Sequence, residues 1–153
     1  MREVKGKLDG KGKRIAIVIS KFNEFVSNQL LSGCIDELKL LGVDDANIET
    51  YFVEGSFEIP LALKVVSQRR SVDGMIALGV ILRGETSHFD YIAKSVIGDI
   101  SKISQDTGIP IALGVLTPDD IEQAISRAGG KAGNKGREAA RVCINMINLV
   151  DSI

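Results

Sequence analysis

The chain alternates short, continuous apolar runs with amphipathic segments, and this alternation restricts its fold more than any other feature. The clearest run is Arg14–Ser20, in which residues 15 to 19 read Ile-Ala-Ile-Val-Ile. Three further runs follow, at Ile48–Val53, Met75–Val80 and Ile109–Val115. Strands that are apolar along their whole length are typical of parallel sheets covered on both faces. The sequence therefore predicts a four-stranded parallel sheet.

The segments between and after these runs carry apolar residues at helical spacing. Helices are predicted at Val26–Leu41, from about Glu58, at Phe89–Ile103, at Thr117–Arg127 and at about Lys135–Val150. Gly42 is expected just after the first helix, Ser56 as the cap of the second, and Thr117 with Pro118 at the start of the fourth. Alternating strands and helices with short loops predict an α/β fold, a flavodoxin-like three-layer αβα sandwich.

A length of 153 residues predicts one domain with a substantial core, which we assign to residues 14–153. Residues 1–13 form an N-terminal arm that is rich in basic residues and has no core of its own. Within it, Glu3–Lys5 is a possible extra strand. The arm is expected to lie free or to join the sheet of a neighbouring subunit.

Composition excludes several classes of function. A formal net charge of −1 gives no general attraction to nucleic acid or to an anionic membrane, and no segment has the roughly 20 apolar residues of a membrane span. The N-terminus lacks the apolar core of a secretory signal. With a single histidine in the chain, we expect no metal site. Cys34 and Cys143 fit reduced, packed thiols, so a cytoplasmic location is expected.

The least core-like residues follow the predicted strands. They occupy residues 20–23, 54–58, 82–88 and 114–117. In open parallel sheets, ligands bind beyond the carboxyl ends of the strands. The four loops are therefore expected to build one pocket.

Gly84-Glu85-Thr86 leads into a predicted helix capped by Thr86 or by Ser87. Free amides there, together with the positive end of the helix dipole, favour an anion such as phosphate. Taken alone, the tripeptide more simply indicates a routine capped turn. Arg83 and Arg127 favour the anion site, because a guanidinium can bind phosphate through two parallel hydrogen bonds.

Three side chains near these loops have both a plain and a functional interpretation. A lone histidine is usually a polar surface residue, but His88 adjoins the expected anion site and could transfer protons to a departing phosphate. Phe22 either covers the sheet edge or stacks on a flat heterocycle. Glu58 either complements a helix dipole or binds a polyol. In the glycine-rich turn 129–136, glycine most simply indicates positive φ angles.

Four motifs occur in order along most of the chain. They are S-K-F-N (20–23), V-E-G-S-F-E-I-P (53–60), G-V-I-L-R-G-E-T-S-H-F-D-Y (79–91) and E-Q-A-I-S-R-A-G-G-K-A-G-N-K-G (122–136). Together they make the chain, over about Arg14–Leu149, resemble the lumazine synthase family. The resemblance implies condensation of 5-amino-6-(D-ribitylamino)uracil with 3,4-dihydroxy-2-butanone 4-phosphate, in riboflavin biosynthesis. It implies no metal and no redox cofactor, and the amine of the substrate is itself the nucleophile.

The resemblance also implies roles for individual residues. Contacts with the pyrimidine ring and ribityl chain are implied for Phe22, Asn23, Ser56, Phe57, Glu58, Val80, Ile81, Leu82, Leu113 and Lys135. Contacts with the butanone phosphate are implied for Gly84, Glu85, Thr86 and Arg127, and proton transfer is implied for His88.

The implied partners are further copies of the chain. Active sites of the family lie between adjacent subunits of a homopentamer, where the neighbour supplies Arg127 and residue 113. The compact turn 128–136 resembles that of relatives that form a 60-subunit shell. Three residues depart from the family pattern, which usually has phenylalanine at Leu113, proline at Glu54 and arginine at Lys21. We expect Glu54 to loosen its loop and Leu113 to weaken binding of the pyrimidine.

Two other functions are compatible with the same fold. An archaeal-type riboflavin synthase would act on lumazine alone, but its substrate carries no phosphate, and the segment 83–88 with Arg127 argues against it. A non-catalytic shell or flavin-binding protein is suggested only by Leu113 and Glu54. A phospho-acceptor signalling domain is excluded, since residues 20–23 contain no acidic cluster.

Overall fold

A computed structural model of the protein describes residues 1–84 and 88–153, and within them four parallel strands form the central sheet. The strands are β1 (Ile15–Ser20), β2 (Ile48–Val53), β3 (Gly74–Val80) and β4 (Ile111–Leu116), in the spatial order β2-β1-β3-β4. The α-helices are α1 (Glu24–Leu40), α2 (Ile59–Arg69), α3 (Phe89–Thr107), α4 (Ile121–Arg127) and α5 (Lys135–Asp151), with single 3₁₀ turns at Asp45–Asn47 and Ser56–Glu58. The predicted parallel, flavodoxin-like α/β fold is confirmed.

The two faces of the sheet carry separate cores. Ile15, Ile17 and Ile19 of β1 pack against α1 and α5, whereas Ala16 and Val18 face α2 and α3. All five side chains are at most 1% exposed. Alternate residues of a strand point to opposite faces, and both faces are covered. The unbroken apolar run of β1 is explained by this double burial.

Helices α1 and α5 approach each other closely on one face of the sheet. A β-carbon at Gly136 would overlap the carbonyl oxygen of Leu30, so the helix backbones touch at this point. Next to the contact, the buried Glu37 accepts hydrogen bonds from Arg137 and Arg141, both at 2.9 Å. The interface thus combines close backbone packing with an ion-pair cluster.

One predicted helix start was wrong, and two other segments have structure that the sequence does not specify. Helix α4 begins at Ile121 rather than Thr117, because the Asp120 carboxylate accepts the Gln123 N–H at 2.8 Å and so caps the helix. The glycine-rich turn contains two short antiparallel strands, β5 (Ala128–Gly130) and β6 (Gly133–Asn134). Glu3–Lys5 forms no strand within a single chain, and its pairing with the sheet of a neighbouring subunit stays a prediction.

The N-terminal arm instead lies beside α5. The Asn148 side-chain amide donates to the backbone oxygens of Lys7 at 2.7 Å and Asp9 at 2.9 Å. Lys13 forms an ion pair with Asp151 at 2.9 Å. Both anchors come from the end of α5, so the arm is tied to its own subunit by residues 7–13.

Candidate active site

A largely apolar cavity of about 440 Å³ lies at the carboxyl edge of β1, β2 and β3. Its lining residues are Phe22, Glu54, Gly55, Ser56, Phe57, Glu58, Val80, Ile81, Leu82 and Ile92. Seven residues that the sequence implied for ring and ribityl contacts are in this set. The convergence of the loops after the first three strands places them there, as expected for a parallel sheet.

The base of the cavity is a buried polar pair between two strand ends. Ser56 is 7% exposed, and its hydroxyl lies 3.4 Å from Ser20 Oγ and 3.5 Å from the Val80 carbonyl oxygen. A β-carbon at Gly79 would come within 2.5 Å of Ser20 Oγ. Glycine at position 79 therefore leaves the space in which the two serines meet.

The rim of the cavity presents two aromatic rings and two carboxylates. Phe22 is 43% exposed and Phe57 is 67% exposed, so the aromatic rings are accessible to a ligand. Glu58 Oε2 accepts the Gly55 N–H at 3.1 Å, which fixes the direction of that carboxylate. Glu54 pairs with Lys21 at 3.0 Å. A flat ring with polar substituents suits such a rim.

Asn23 follows Phe22 at the start of α1 in an unusual conformation. Its φ and ψ are both 57°, in the left-handed region that asparagine tolerates better than most residues. Its side-chain Nδ2 is buried and has no hydrogen-bond partner within the part of the chain that the structure describes. An unsatisfied buried donor costs roughly 1–3 kcal/mol. A hydrogen bond from Asn23 to a ligand would therefore contribute more binding free energy than one from a solvated amide.

The expected anion site adjoins the beginning of α3. Gly84 is exposed and has φ of +89°, whereas Glu85, Thr86 and Ser87 lie outside the described residues. His88 occupies the N-cap position of α3 and is exposed, and the predicted cap at Thr86 or Ser87 falls on residues outside the described ranges. Its carbonyl oxygen accepts the Ile92 N–H at 2.9 Å. His88 is therefore at the positive end of a 19-residue helix.

Arg83 is engaged by protein groups in this structure. Its guanidinium lies 3.0 Å from Asp119 and 3.4 Å from Asp90, and 4.5 Å above the ring of Phe89. Its guanidinium thus contacts two carboxylates and an aromatic face, and the anion contact suggested for Arg83 by the sequence stays a prediction.

Three residues implied for the site do not line the cavity within one chain. They are Arg127, Lys135 and Leu113. Arg127 is the exposed last residue of α4, and the next residue, Ala128, is buried in the core shared with α1 and α5. Lys135 begins α5 on the same side of the sheet. Leu113 packs into the core next to α2 and α3. Of the described residues that line the cavity, none belongs to α4 or α5.

The family model for 6,7-dimethyl-8-ribityllumazine synthase matches residues 12–151. The chain belongs to the 6,7-dimethyl-8-ribityllumazine synthase family. Membership makes the protein a transferase of riboflavin biosynthesis that acts on small molecules and works as an oligomer. It also confirms the resemblance read from the four sequence motifs.

The described residues contain no group of three or more His, Cys, Asp or Glu side chains arranged to hold a metal ion. Among the helices in the described ranges, none is long and apolar enough to cross a membrane.

Sequence reasoning missed Ile92 as a part of the site, although it included Ser20 in one of the loops expected to build the pocket. Ile92 lies three residues after Phe89, on the first turn of α3, and lines the cavity. Helical spacing alone assigned the apolar residues of this segment to the core. Ser20 ends β1 and supports Ser56, and its signal was a polar residue directly after an apolar run.

Proposed function

We propose that this chain condenses 5-amino-6-(D-ribitylamino)uracil with 3,4-dihydroxy-2-butanone 4-phosphate by holding the pyrimidine in the cavity and the phosphate near the start of α3. The observation that carries the proposal is the convergence of Phe22, residues 54–58 and residues 80–82 on one open cavity. The exposed ring of Phe22 gives a surface for stacking. The carboxylate of Glu58 and the amide of Asn23 suit the hydroxyl and carbonyl groups of the pyrimidine substrate.

The phosphate position is supported by the dipole of α3 and by Gly84. Amides at a helix start attract anions, and the positive φ of Gly84 permits a close backbone approach. Glu85 and Thr86, implied as part of this cradle, lie outside the described residues. Arg127 supplies the guanidinium that grips the phosphate.

The chemistry requires orientation and proton transfer more than an enzyme nucleophile. The 5-amino group attacks the ketone and water leaves, which gives an imine. The imine then loses the C3 proton and the phosphate on C4, and the resulting enol tautomerises to a carbonyl at C3 and a methyl group at C4. The ribityl-bearing nitrogen adds to this new carbonyl and closes the ring with loss of a further water. His88 moves protons beside the departing phosphate, a contribution typically worth about 10²–10⁴-fold.

The site is completed by a neighbouring subunit of a homopentamer. Arg127 lies on the α1/α5 side of the sheet, whereas the cavity opens beside α2 and α3. Near the cavity, Phe57, Leu61 and Tyr91 are 67%, 70% and 79% exposed, and such large apolar side chains are what a subunit interface covers. The resemblance of the compact turn 128–136 to that of shell-forming relatives supports assembly of the pentamers into a 60-subunit shell. Buried free thiols suit the reducing cytoplasm.

The test is to mix two impaired variants and to assay them at a butanone phosphate concentration well below the KM of Arg127→Ala. His88→Ala and Arg127→Ala each damage every site in a uniform assembly. In randomly mixed pentamers, about one quarter of interfaces combine an intact His88 with an intact Arg127 from the next subunit. We expect lumazine absorbance and phosphate release to recover to about that fraction.

Activity would not recover if His88 and Arg127 of one site came from the same subunit, and the proposal of a site between subunits would then be wrong. Arg127→Ala alone should mainly raise the apparent KM for the butanone phosphate. Arg69→Ala removes an exposed arginine at the end of α2 and is the matched control. If Arg127→Ala shifted only the pyrimidine KM, the phosphate assignment would fail. Lumazine supplied alone should yield no riboflavin.

A further inference from the structure

We propose that Arg83 is a positioning residue of the synthase, which joins the beginning of α3 to the β4–α4 connection and thereby sets His88 beside the phosphate of the second substrate. The inference rests on the proposed function. It assigns Arg83 to the support of the site rather than to direct contact with the anion.

The contacts of Arg83 span three parts of the fold. Its backbone N–H donates to the Pro118 carbonyl oxygen at 3.1 Å, and its Nε lies 3.0 Å from Asp119 Oδ1. Its Nη2 lies 3.4 Å from Asp90 Oδ1, and the guanidinium carbon is 4.5 Å from the centre of the Phe89 ring. One side chain that leaves the end of β3 thus reaches both α3 and the segment before α4.

These contacts leave the guanidinium poorly suited to bind a dianion. Two carboxylates neutralise its charge, and a phosphate that approached Arg83 would also meet Asp90 and Asp119. The planar fork that would grip phosphate is already shared between two different acids. The local arrangement therefore carries one net negative charge, which opposes an additional anion.

The groups that Arg83 touches are adjacent to site residues. Phe89 is 7% exposed, directly follows His88, and belongs to the core beside α2 and α3. Ile92, one turn further along α3, donates its backbone N–H to the His88 carbonyl oxygen and lines the cavity. A guanidinium stacked on Phe89 therefore restrains the turn from which the imidazole of His88 projects.

On the other side, Asp119 belongs to the segment that starts α4. The Asp119 N–H donates to Gln123 Oε1 at 3.0 Å, within the first turn of α4. Arg83 is consequently linked through Asp119 to the helix that ends at Arg127. Arg83 couples the helix that presents His88 to the helix that offers Arg127 to the next subunit.

The test uses Asp90→Asn and Asp119→Asn, because the positioning role and direct binding predict opposite signs. Each variant removes a partner of Arg83 and keeps the guanidinium. Glu122→Gln is the matched control, since it removes one exposed carboxylate in the first turn of α4. The measurements are the apparent KM for each substrate and the inhibition constant of inorganic phosphate as a product.

If Arg83 positions the site, both Asp→Asn variants raise the phosphate inhibition constant and the KM for the butanone phosphate by about two- to fivefold, as expected for half-exposed pairs. The pyrimidine KM stays within about twofold, and Glu122→Gln matches the parent protein. Arg83→Lys raises the same two constants and leaves the pyrimidine KM unchanged, because an ammonium keeps the charge but not the planar guanidinium that stacks on Phe89.

A lower phosphate inhibition constant in the Asp→Asn variants would overturn the proposal, since it would mean that the freed guanidinium binds the anion. An equal rise in the KM values of both substrates would also overturn the proposal, since it would indicate a general structural defect. If the Asp→Asn variants match Glu122→Gln while Arg127→Ala still raises the KM, only the role of Arg83 fails. If Arg127→Ala too leaves the phosphate constants unchanged, the proposed phosphate site has failed.

Discussion

Lys21 Nζ lies 3.0 Å from Glu54 Oε1, which joins the loop after β1 to the loop after β2 at the rim of the cavity. Both residues depart from the usual family pattern of arginine and proline. The loosening expected from the loss of proline is opposed by this ion pair and by the bond from the Gly55 N–H to Glu58. Here, two charged residues restrain a loop that proline usually stiffens.

The Lys21–Glu54 pair should tune affinity without controlling catalysis. The side chains are 46% and 83% exposed, and exposed pairs contribute about 0.2–1 kcal/mol. We expect Glu54→Gln to raise the pyrimidine KM by less than about fivefold with kcat unchanged, and the difference to shrink in high salt. A double-mutant cycle with Lys21→Met measures the coupling, and additive effects would show that the pair is unimportant.

The single histidine offers a direct measure of the catalytic assignment. His88→Ala should slow turnover by roughly tenfold or more, because a positioned acid–base group is lost while the intrinsic reactivity of the substrate remains. Single-turnover lumazine formation is the measurement. His88→Gln, which keeps a polar side chain, serves as the control for local structure. An unchanged rate in both variants would remove His88 from the mechanism.

Acid should weaken the contact between α1 and α5. The hydrogen bonds from Arg137 and Arg141 hold the pKa of Glu37 below its ordinary value. The stabilisation is complete above the unfolded value of about 4.3 and disappears as the pH falls through the lower folded pKa. We expect Glu37→Gln to lower the free energy of unfolding by about 1–3 kcal/mol at pH 7 and by much less near pH 3.

Asp36 provides the comparison for Glu37. It lies 3.8 Å from the same Arg137 but is 63% exposed, so Asp36→Asn should change the free energy of unfolding by less than about 0.5 kcal/mol. Chemical denaturation across this pH range measures both variants. A pH-independent effect of Glu37→Gln would mean that shape rather than charge matters at position 37.

The two cysteines should be unreactive in the folded protein. Both are free and buried, and burial raises the pKa of the Cys34 thiol to about 12 and that of Cys143 further. Because the thiolate is the reactive form, an aromatic disulfide reagent at pH 8 should label neither residue until denaturant is added. Ser152→Cys, at an exposed position, provides the positive control. Labelling of the parent protein without denaturant would contradict this packing.

The sheet was predictable because burial on both faces demands unbroken apolar strands, as in β1. The cavity was predictable to the same degree, since parallel strands bring their loops to one edge. The first residue of a helix is harder to predict from the sequence. Thr117-Pro118 and Asp120 are competing caps, and only the hydrogen bond between Asp120 and Gln123 decides between them.

Other features depend on tertiary contacts that no local pattern encodes. The β5–β6 hairpin has strands too short for an alternating signal, and its glycines were interpreted as a plain turn. The contact between Arg83 and Asp119 joins two loops 36 residues apart in the sequence, and no local pattern encodes it. The placement of Arg127 away from the cavity likewise follows from the layer in which α4 packs.

Strand β2 forms one border of the sheet, and Phe52 on it is 54% exposed. An unpaired border with an accessible aromatic residue is a template for strand pairing between molecules. A variant designed to remain monomeric would therefore be prone to aggregate, even with its fold intact. A lysine or proline on β2 should keep such a variant dispersed, because either residue discourages strand pairing at this border.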